Sequence, residues 1–278
     1  MPELPEVETI KNDLRPAVEG RRFTGVTLFW PRMVLKPSAE EFCHRLPGKR
    51  IDEIARRGKY LIFRLEGSES LVLHMRMTGS LLLREKDGAT VEPERYATAV
   101  FSLDNGTGLV FRDRRKLGTA ELVSDESELE GKLGPEPLGS GFTAGVLKEK
   151  LSGRKAPIKA VLCEQRLVAG IGNMYADEAL FAAGIHPLRP ANSLTRKEVK
   201  RLYEAIRRVL ETGIGNAGAT FSDYCRPGGE EGSQQDAFYV AHRGGETCRV
   251  CSTPIERIPV RNRGTYFCPR CQSSSTCS

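Results

Sequence analysis

The chain has 278 residues, of which 39% are hydrophobic and 28% charged, with a formal net charge of +6. That length accommodates two ordinary domains, and the composition excludes collagen-like, disordered and membrane-spanning classes, because no run reaches the roughly 20 apolar residues that a span needs. The positive balance suits a polyanionic partner without requiring one. Glu3, Glu6 and Glu8 stand where a secretory signal would carry an apolar run, so a cytoplasmic, nucleoid-associated location is expected.

The first predicted element is a helix. It opens Pro2-Glu3-Leu4-Pro5-Glu6-Val7, and prolines are tolerated in a first turn, whose N–H groups lack helical partners. Val7, Ile10, Leu14 and Val18 repeat at helical spacing, and Pro16 and Gly20 are expected to end the helix. At about 100° per residue the four apolar positions span about 80°; Glu3 falls inside that arc and Glu6 about 40° outside it. Both carboxylates therefore point towards the packed side. Partial burial would raise their pKa values and suit proton transfer, while the positive helix end opposes the rise. Acidic residues also favour a first helical turn on structural grounds alone. Pro2 adds a chemical reason for the crowding. Removal of Met1 would leave Pro2 with a free secondary amine, a nucleophile that forms an iminium with a sugar aldehyde beside a carboxylic acid.

Strands are predicted over 22–30, 60–65, 71–75, 80–84, 97–103 and 108–112, with Asp104-Asn105-Gly106 as a hairpin turn, a spacing that suggests a sandwich. Residues 124–141 are acidic, then rich in Gly and Pro, and read as a linker. Helical patterning follows over 158–163 and 175–183, around the turn Gly170-Ile171-Gly172-Asn173. Thr195 and Glu198 form a capping box with Leu194 and Val199 as its staple, ahead of a stripe of Val199, Leu202, Ile206 and Val209. Residues 221–235 are polar and Gly-rich and read as a mobile loop. Basic clusters recur at Arg56, Arg57 and Lys59, at 112–116, and at Arg257, Arg261 and Arg263. Any one of them could be simply a solvated face.

The chain closes on Cys248, Cys251, Cys268 and Cys271, two CxxC pairs separated by sixteen residues. Four thiolates in two knuckles give a closed tetrahedral zinc site with no open position, hence one structural Zn²⁺; two disulfides are the rival reading, which a reducing compartment disfavours. Cys43, Cys163, Cys225 and Cys277 are scattered and carry no assigned role.

Three motifs carry a family resemblance. Met1-Pro-Glu-Leu-Pro-Glu-Val-Glu-Thr9 resembles the opening of the formamidopyrimidine-DNA glycosylases. Gln165-Arg-Leu-Val-Ala-Gly-Ile-Gly-Asn-Met-Tyr-Ala-Asp-Glu178 resembles their helix–two-turn–helix, and the paired CxxC motif resembles their zinc finger. They stand in the family order at the start, middle and end, so the resemblance covers essentially the whole chain.

The resemblance implies an α+β protein with an N-terminal β-sandwich bearing the first helix (1–130), a linker (131–141), a helix–two-turn–helix domain (142–240) and a zinc finger (241–278), with DNA in a basic cleft. It implies a bifunctional glycosylase and abasic-site lyase of base excision repair. That enzyme would remove 8-oxoguanine and formamidopyrimidines from double-stranded DNA as a monomer, with no organic cofactor. Pro2 would be the Schiff-base nucleophile, Glu3 would protonate the sugar ring oxygen, and Glu6 would shape the site. Lys59 would contact phosphate and assist elimination, and Arg263 would bind phosphate and serve the second elimination. His74 and Asn173 match phosphate contacts, Arg154 and Lys159 fit further DNA contacts more weakly, and Met77, Arg115 and Leu117 match the wedge that fills the space of an extruded base, with Arg115 reading the orphaned base.

This sequence also departs from the family pattern. The common Asp-Pro-Arg-Arg-Phe-Gly is here Asp113-Arg-Arg-Lys-Leu-Gly118. Arg76 replaces the usual glycine, Tyr96 stands near a usual histidine, and the damage-capping loop near 224–238 lacks the common pattern. These changes bear on lesion preference. An endonuclease VIII-like enzyme for oxidised pyrimidines and a non-catalytic damage-binding protein are the alternatives. Leu4-Pro5 favours the purine branch, and intact Pro2, Glu3 and Lys59 argue against a non-catalytic protein.

Overall fold

A computed structural model describes residues 1–85 and 94–273; Cys277 lies outside them. The chain forms two compact units, Met1–Gly131 with Asn216–Gln235, and Lys132–Gly215 with Asp236–Ser278. Among the described residues, no helix is long and apolar enough to cross a membrane.

The first unit runs α1 (Leu4–Val18), β1 (Phe23–Leu28), β2 (Val34–Lys36), α2 (Ala39–Arg45), β3 (Ile51–Arg57), β4 (Tyr60–Leu65), β5 (Ser70–His74), β6 (Gly79–Glu85), β7 (Ala97–Leu103), β8 (Thr107–Asp113), β9 (Thr119–Val123) and α3 (Ser127–Lys132). Its sheets have the orders β1-β7-β8-β6 and β2-β9-β5-β4-β3. All pairings are antiparallel except the parallel β2–β9. The β7–β8 hairpin turns at 104–106 as expected, and Gly106 takes φ +80° there. Phe23 of one sheet meets Phe63 of the other edge-on at 6.3 Å and Phe101 at 6.2 Å, in a single apolar core. Burying each such ring contributes about 1.5–3 kcal/mol.

Val7, Ile10, Leu14 and Val18 of α1 are fully buried in that core. Pro16 does not stop the helix, which runs to Val18 and ends where Gly20 turns left-handed at φ +81°. Pro16 lies in the last turn, where the donor it removes falls within two residues of the helix end. An ion pair and a hydrogen bond fix α1 and its C-cap to β3: Arg56 Nε donates to Glu8 Oε2 at 2.7 Å, and Ile54 N donates to Glu19 Oε1 at 3.0 Å. The acidic run read as a linker is held instead on the basic strands, with Glu126 accepting from Arg64 and Ser70, and Glu130 accepting from Arg57.

The second unit contains α4 (Ala144–Leu151), α5 (Ile158–Leu162), α6 (Asn173–Ala183), α7 (Arg196–Gly215) and a hairpin of β10 (Glu256–Val260) and β11 (Arg263–Phe267). The Thr195–Glu198 capping box forms, with Glu198 N donating to Thr195 Oγ1 at 3.3 Å and Thr195 N to Glu198 Oε2 at 2.8 Å. Residues 221–235, read as a mobile loop, belong with 216–220 to the first unit and are held on it: Arg226 makes a two-pronged pair with Asp13 of α1 at 2.8 and 3.0 Å, and Tyr224 is buried in the core.

Candidate functional site

The N-terminus of α1 is closed off from solvent. Pro2 is buried, Glu3 is 1% exposed and Glu6 fully buried. Glu3 is the N-cap, and its own N–H donates to Glu6 Oε2 at 2.7 Å in a capping box. The second Glu6 oxygen accepts from Ala219 N at 2.9 Å. Gly218 is required beside it: its φ is +76°, and a Cβ there would lie 2.8 Å from Glu6 Cγ. Tyr224 donates to Ala217 O at 2.9 Å. Burial and the Glu6 carboxylate push the Tyr224 phenol above its usual range. The segment 216–235 thus completes the carboxyl site, a contribution with no local signal in the sequence.

Lys59 sits in the β3–β4 turn, 5% exposed, next to Tyr60, which pairs with His74 across β4–β5. The Tyr60 and His74 rings meet edge-on at 4.5 Å. Burial, then the Arg76 and Lys59 cations, lower the His74 imidazole to about 3. His74 is therefore neutral at pH 7. Its Nδ1 accepts from Arg76 N at 2.9 Å, which leaves the ring proton on Nε2. A neutral ring can donate one hydrogen bond from Nε2 but carries no positive charge. Arg76 itself is left-handed at φ +54°. That conformation suits the glycine usual at this position, and an L-residue there costs about 1 kcal/mol.

Two exposed turns lie side by side. Met77, 43% exposed, projects from the turn closed by Gly79 N donating to Met75 O at 3.0 Å. A Cβ on Gly79 would lie 2.4 Å from that oxygen. Arg115 and Leu117, the latter 42% exposed, stand in the loop after β8. Asp113 organises this loop, its buried carboxylate accepting from the N–H of Arg115 (3.1 Å), Leu117 (2.7 Å) and Gly118 (2.6 Å). Thr78 Oγ1 also donates to Asp113, clipping the Met77 turn to the loop. Neither Thr78 nor Asp113 stood out as a supporting residue in the sequence, although an Asp opening a turn is a known Asx signal.

In the second unit, Gln165 locks the turn before α6, donating to Ile171 O at 2.7 Å and accepting from Gly170 N at 2.9 Å. Asn173 begins α6, and its Nδ2 donates to Gly264 O at 2.9 Å, directly beside Arg263. The β10–β11 hairpin turns through Arg261 and Asn262, both with positive φ (43° and 62°), as a two-residue primed turn demands. Arg263 then starts β11, exposed. Lys159 is not an exposed contact. It is 1% exposed, paired with Asp177 and donating to Asn173 O at 2.6 Å, while Asp177 Oδ2 accepts from Tyr266 N at 3.1 Å. This buried pair ties the turn to β11, and removing one partner should cost about 3–5 kcal/mol. Arg154 is engaged by Glu164 through Nη1 at 2.7 Å and by Lys150 O through Nε at 3.0 Å.

Cys248, Cys251, Cys268 and Cys271 place their sulfurs within 4.8 Å of one another. Three of the separations are 3.9, 3.4 and 3.5 Å. Four thiolates about 2.3 Å from a central ion stand about 3.8 Å apart in a tetrahedron, whereas a disulfide needs about 2.05 Å. The cluster fits one structural zinc. Backbone donors already face the sulfurs, Val250 N on Cys248 at 3.5 Å and Cys271 N on Cys268 at 3.4 Å.

Comparison with known proteins agrees with this arrangement. Residues 1–120 match the family profile of the formamidopyrimidine-DNA glycosylase N-terminal domain, 133–224 that of its H2TH domain, and 245–273 that of a zinc finger found in FPG and IleRS. The chain is 46% identical over 275 residues to the formamidopyrimidine-DNA glycosylase of Chloroflexus aurantiacus, covering 98% of each. It is 49% identical over 276 residues to that of Symbiobacterium thermophilum, covering 98% of this chain and 89% of the relative. Among solved structures, the Lactococcus lactis Fpg in complex with abasic-site DNA superposes with a TM-score of 0.91 at 36% identity, over 98% of this chain and 100% of that one. MutM in complex with DNA containing carbocyclic 8-oxo-G gives 0.90 at 37% identity, with the same coverage.

Proposed function

The chain belongs to the formamidopyrimidine-DNA glycosylase family, and on that premise we propose that it is a bifunctional glycosylase and abasic-site lyase that removes oxidised purines from double-stranded DNA. The observation that carries the reading is the pair of buried carboxyls, Glu3 and Glu6, placed directly behind a buried Pro2. After loss of Met1, the Pro2 amine attacks C1′ of the damaged nucleotide. Glu3 delivers a proton to the ring oxygen and the sugar opens; the C1′–N bond then breaks, the base leaves with the proton from the Pro2 nitrogen, and that nitrogen becomes an iminium. Glu6, held by Ala219 N and Glu3 N, fixes the geometry of this corner. The iminium acidifies C2′–H, and its loss expels the 3′-phosphate. Arg263 supports the second elimination, which expels the 5′-phosphate.

The remaining roles are electrostatic and steric. Lys59 and Arg263 neutralise backbone phosphate, while His74 and Asn173 add hydrogen bonds and Arg154 a weaker contact. Met77, Arg115 and Leu117 project from clipped turns, as insertion into a base stack requires. The structural zinc supplies no chemistry; it holds the hairpin that presents Arg263. Chelation should therefore unfold the hairpin, leave the bulk of the circular dichroism signal in place and weaken DNA binding roughly ten- to a hundred-fold, the scale of one charge-assisted contact. Unchanged affinity after verified zinc loss would contradict that role.

The substrate assignment is tested by cleavage of otherwise identical duplexes carrying 8-oxoguanine, formamidopyrimidine or thymine glycol. Faster release of the two purine lesions is expected. A thymine glycol preference would move the chain to the endonuclease VIII-like alternative.

A further inference from the structure

We propose that Arg114 and Asp223 form a positioning pair that couples the Arg115–Leu117 loop to the Glu6 carboxyl, so that the base opposite the lesion influences the rate of excision. The inference rests on the function proposed above.

Asp113 clamps the backbone at 115, 117 and 118, which fixes the base of Arg114 within a rigid loop. Arg114 Nη2 reaches Asp223 Oδ2 at 3.2 Å. Two residues earlier, Arg112 Nη2 reaches Cys225 Sγ at 3.3 Å. The match is antiparallel: two steps back along β8 correspond to two steps forward along the segment. Leu83 N continues it by donating to Pro227 O at 2.8 Å. Residues 223–227 therefore run along the β8–β6 side of the sheet. The same segment supplies Ala219 N to Glu6 and Arg226 to Asp13. Arg114–Asp223 ties the loop carrying Arg115 and Leu117 to the segment whose backbone, four residues earlier along the chain, donates from Ala219 to the Glu6 carboxyl, all within one compact unit. Position 114 is proline in the pattern this loop resembles, and proline has no side chain able to make the link. The coupling is thus a property of this chain.

The pair is partly exposed, at 55% and 21%, so its effect is bounded. Exposed ion pairs change an equilibrium by up to about five-fold. The test measures single-turnover excision of 8-oxoguanine opposite cytosine and opposite adenine, at enzyme concentrations that saturate binding. The parent should discriminate between the two. Arg114→Ala and Asp223→Ala should each narrow the ratio about three- to five-fold. The charge swap of Arg114→Asp with Asp223→Arg should restore most of it. A merely structural pair would lower both rates in proportion. A DNA-binding role for Arg114 alone would change affinity and leave Asp223→Ala silent. Proportional losses, an unchanged ratio or a swap that rescues nothing would each overturn the coupling alone. A parent chain that excises neither lesion pair would overturn the reading beneath it as well.

Discussion

Glu3→Gln is expected to lower single-turnover excision of 8-oxoguanine by about two to four orders of magnitude, the range of general acid catalysis. Glutamine keeps the length of the side chain and an oxygen able to accept at the α1 N-terminus, so the capping box with Glu6 retains its shape. What it lacks is a transferable proton. Glu3 is 1% exposed, which leaves little room for water to deliver that proton instead. Strand cutting at a preformed abasic site should suffer much less, because that substrate has already lost its base and presents an aldehyde. The measurement is the pair of rates on the two duplexes, with circular dichroism to show that the variant is folded. Equal losses on both substrates would place the action of Glu3 outside the excision step.

The parts of this site that the sequence reveals are the local ones. The Val7, Ile10, Leu14 and Val18 stripe identifies a helix face, and both carboxyls near it are buried as the helical arithmetic expects. The runs at Tyr60–Leu65 and Ala97–Leu103 match β4 and β7 end to end, because each is a dense stretch of β-formers. The zinc cysteines are legible from spacing alone. β3 escapes notice because Asp52 and Glu53 interrupt its apolar residues and the register shifts between Ile51 and Glu53. β9 alternates, with Ala120 and Leu122 buried, but is only five residues long.

The rest depends on distant partners. Ala219 meets Glu6 across 213 positions, and a polar, Gly-rich segment gives no hint that its backbone will be a hydrogen-bond donor to a buried carboxylate. Lys159 reads as a surface cation until Asp177, eighteen positions on, is seen to neutralise it in the interior. The protonation state of His74 is likewise not legible locally: burial and two neighbouring cations keep it neutral. The positive φ of Arg76 is visible only as a departure from a glycine.

Blocking the Pro2 amine is expected to abolish the chemistry altogether, because catalysis is proposed to begin at that nitrogen. Only a free secondary amine forms an iminium, so a chain that keeps Met1, or carries an N-terminal tag, has an amide nitrogen at Pro2 with no nucleophilic lone pair. Such a protein should still bind damaged duplex, because Lys59, Asn173 and Arg263 lie elsewhere in the chain. The direct measurement is borohydride trapping on abasic-site DNA, read by mass spectrometry, for the processed chain and for one with Met1 retained. A covalent adduct mapped to Pro2 is expected in the first and none in the second, with strand cutting lost in parallel. An adduct of equal yield in the Met1-retaining protein would remove Pro2 from the mechanism.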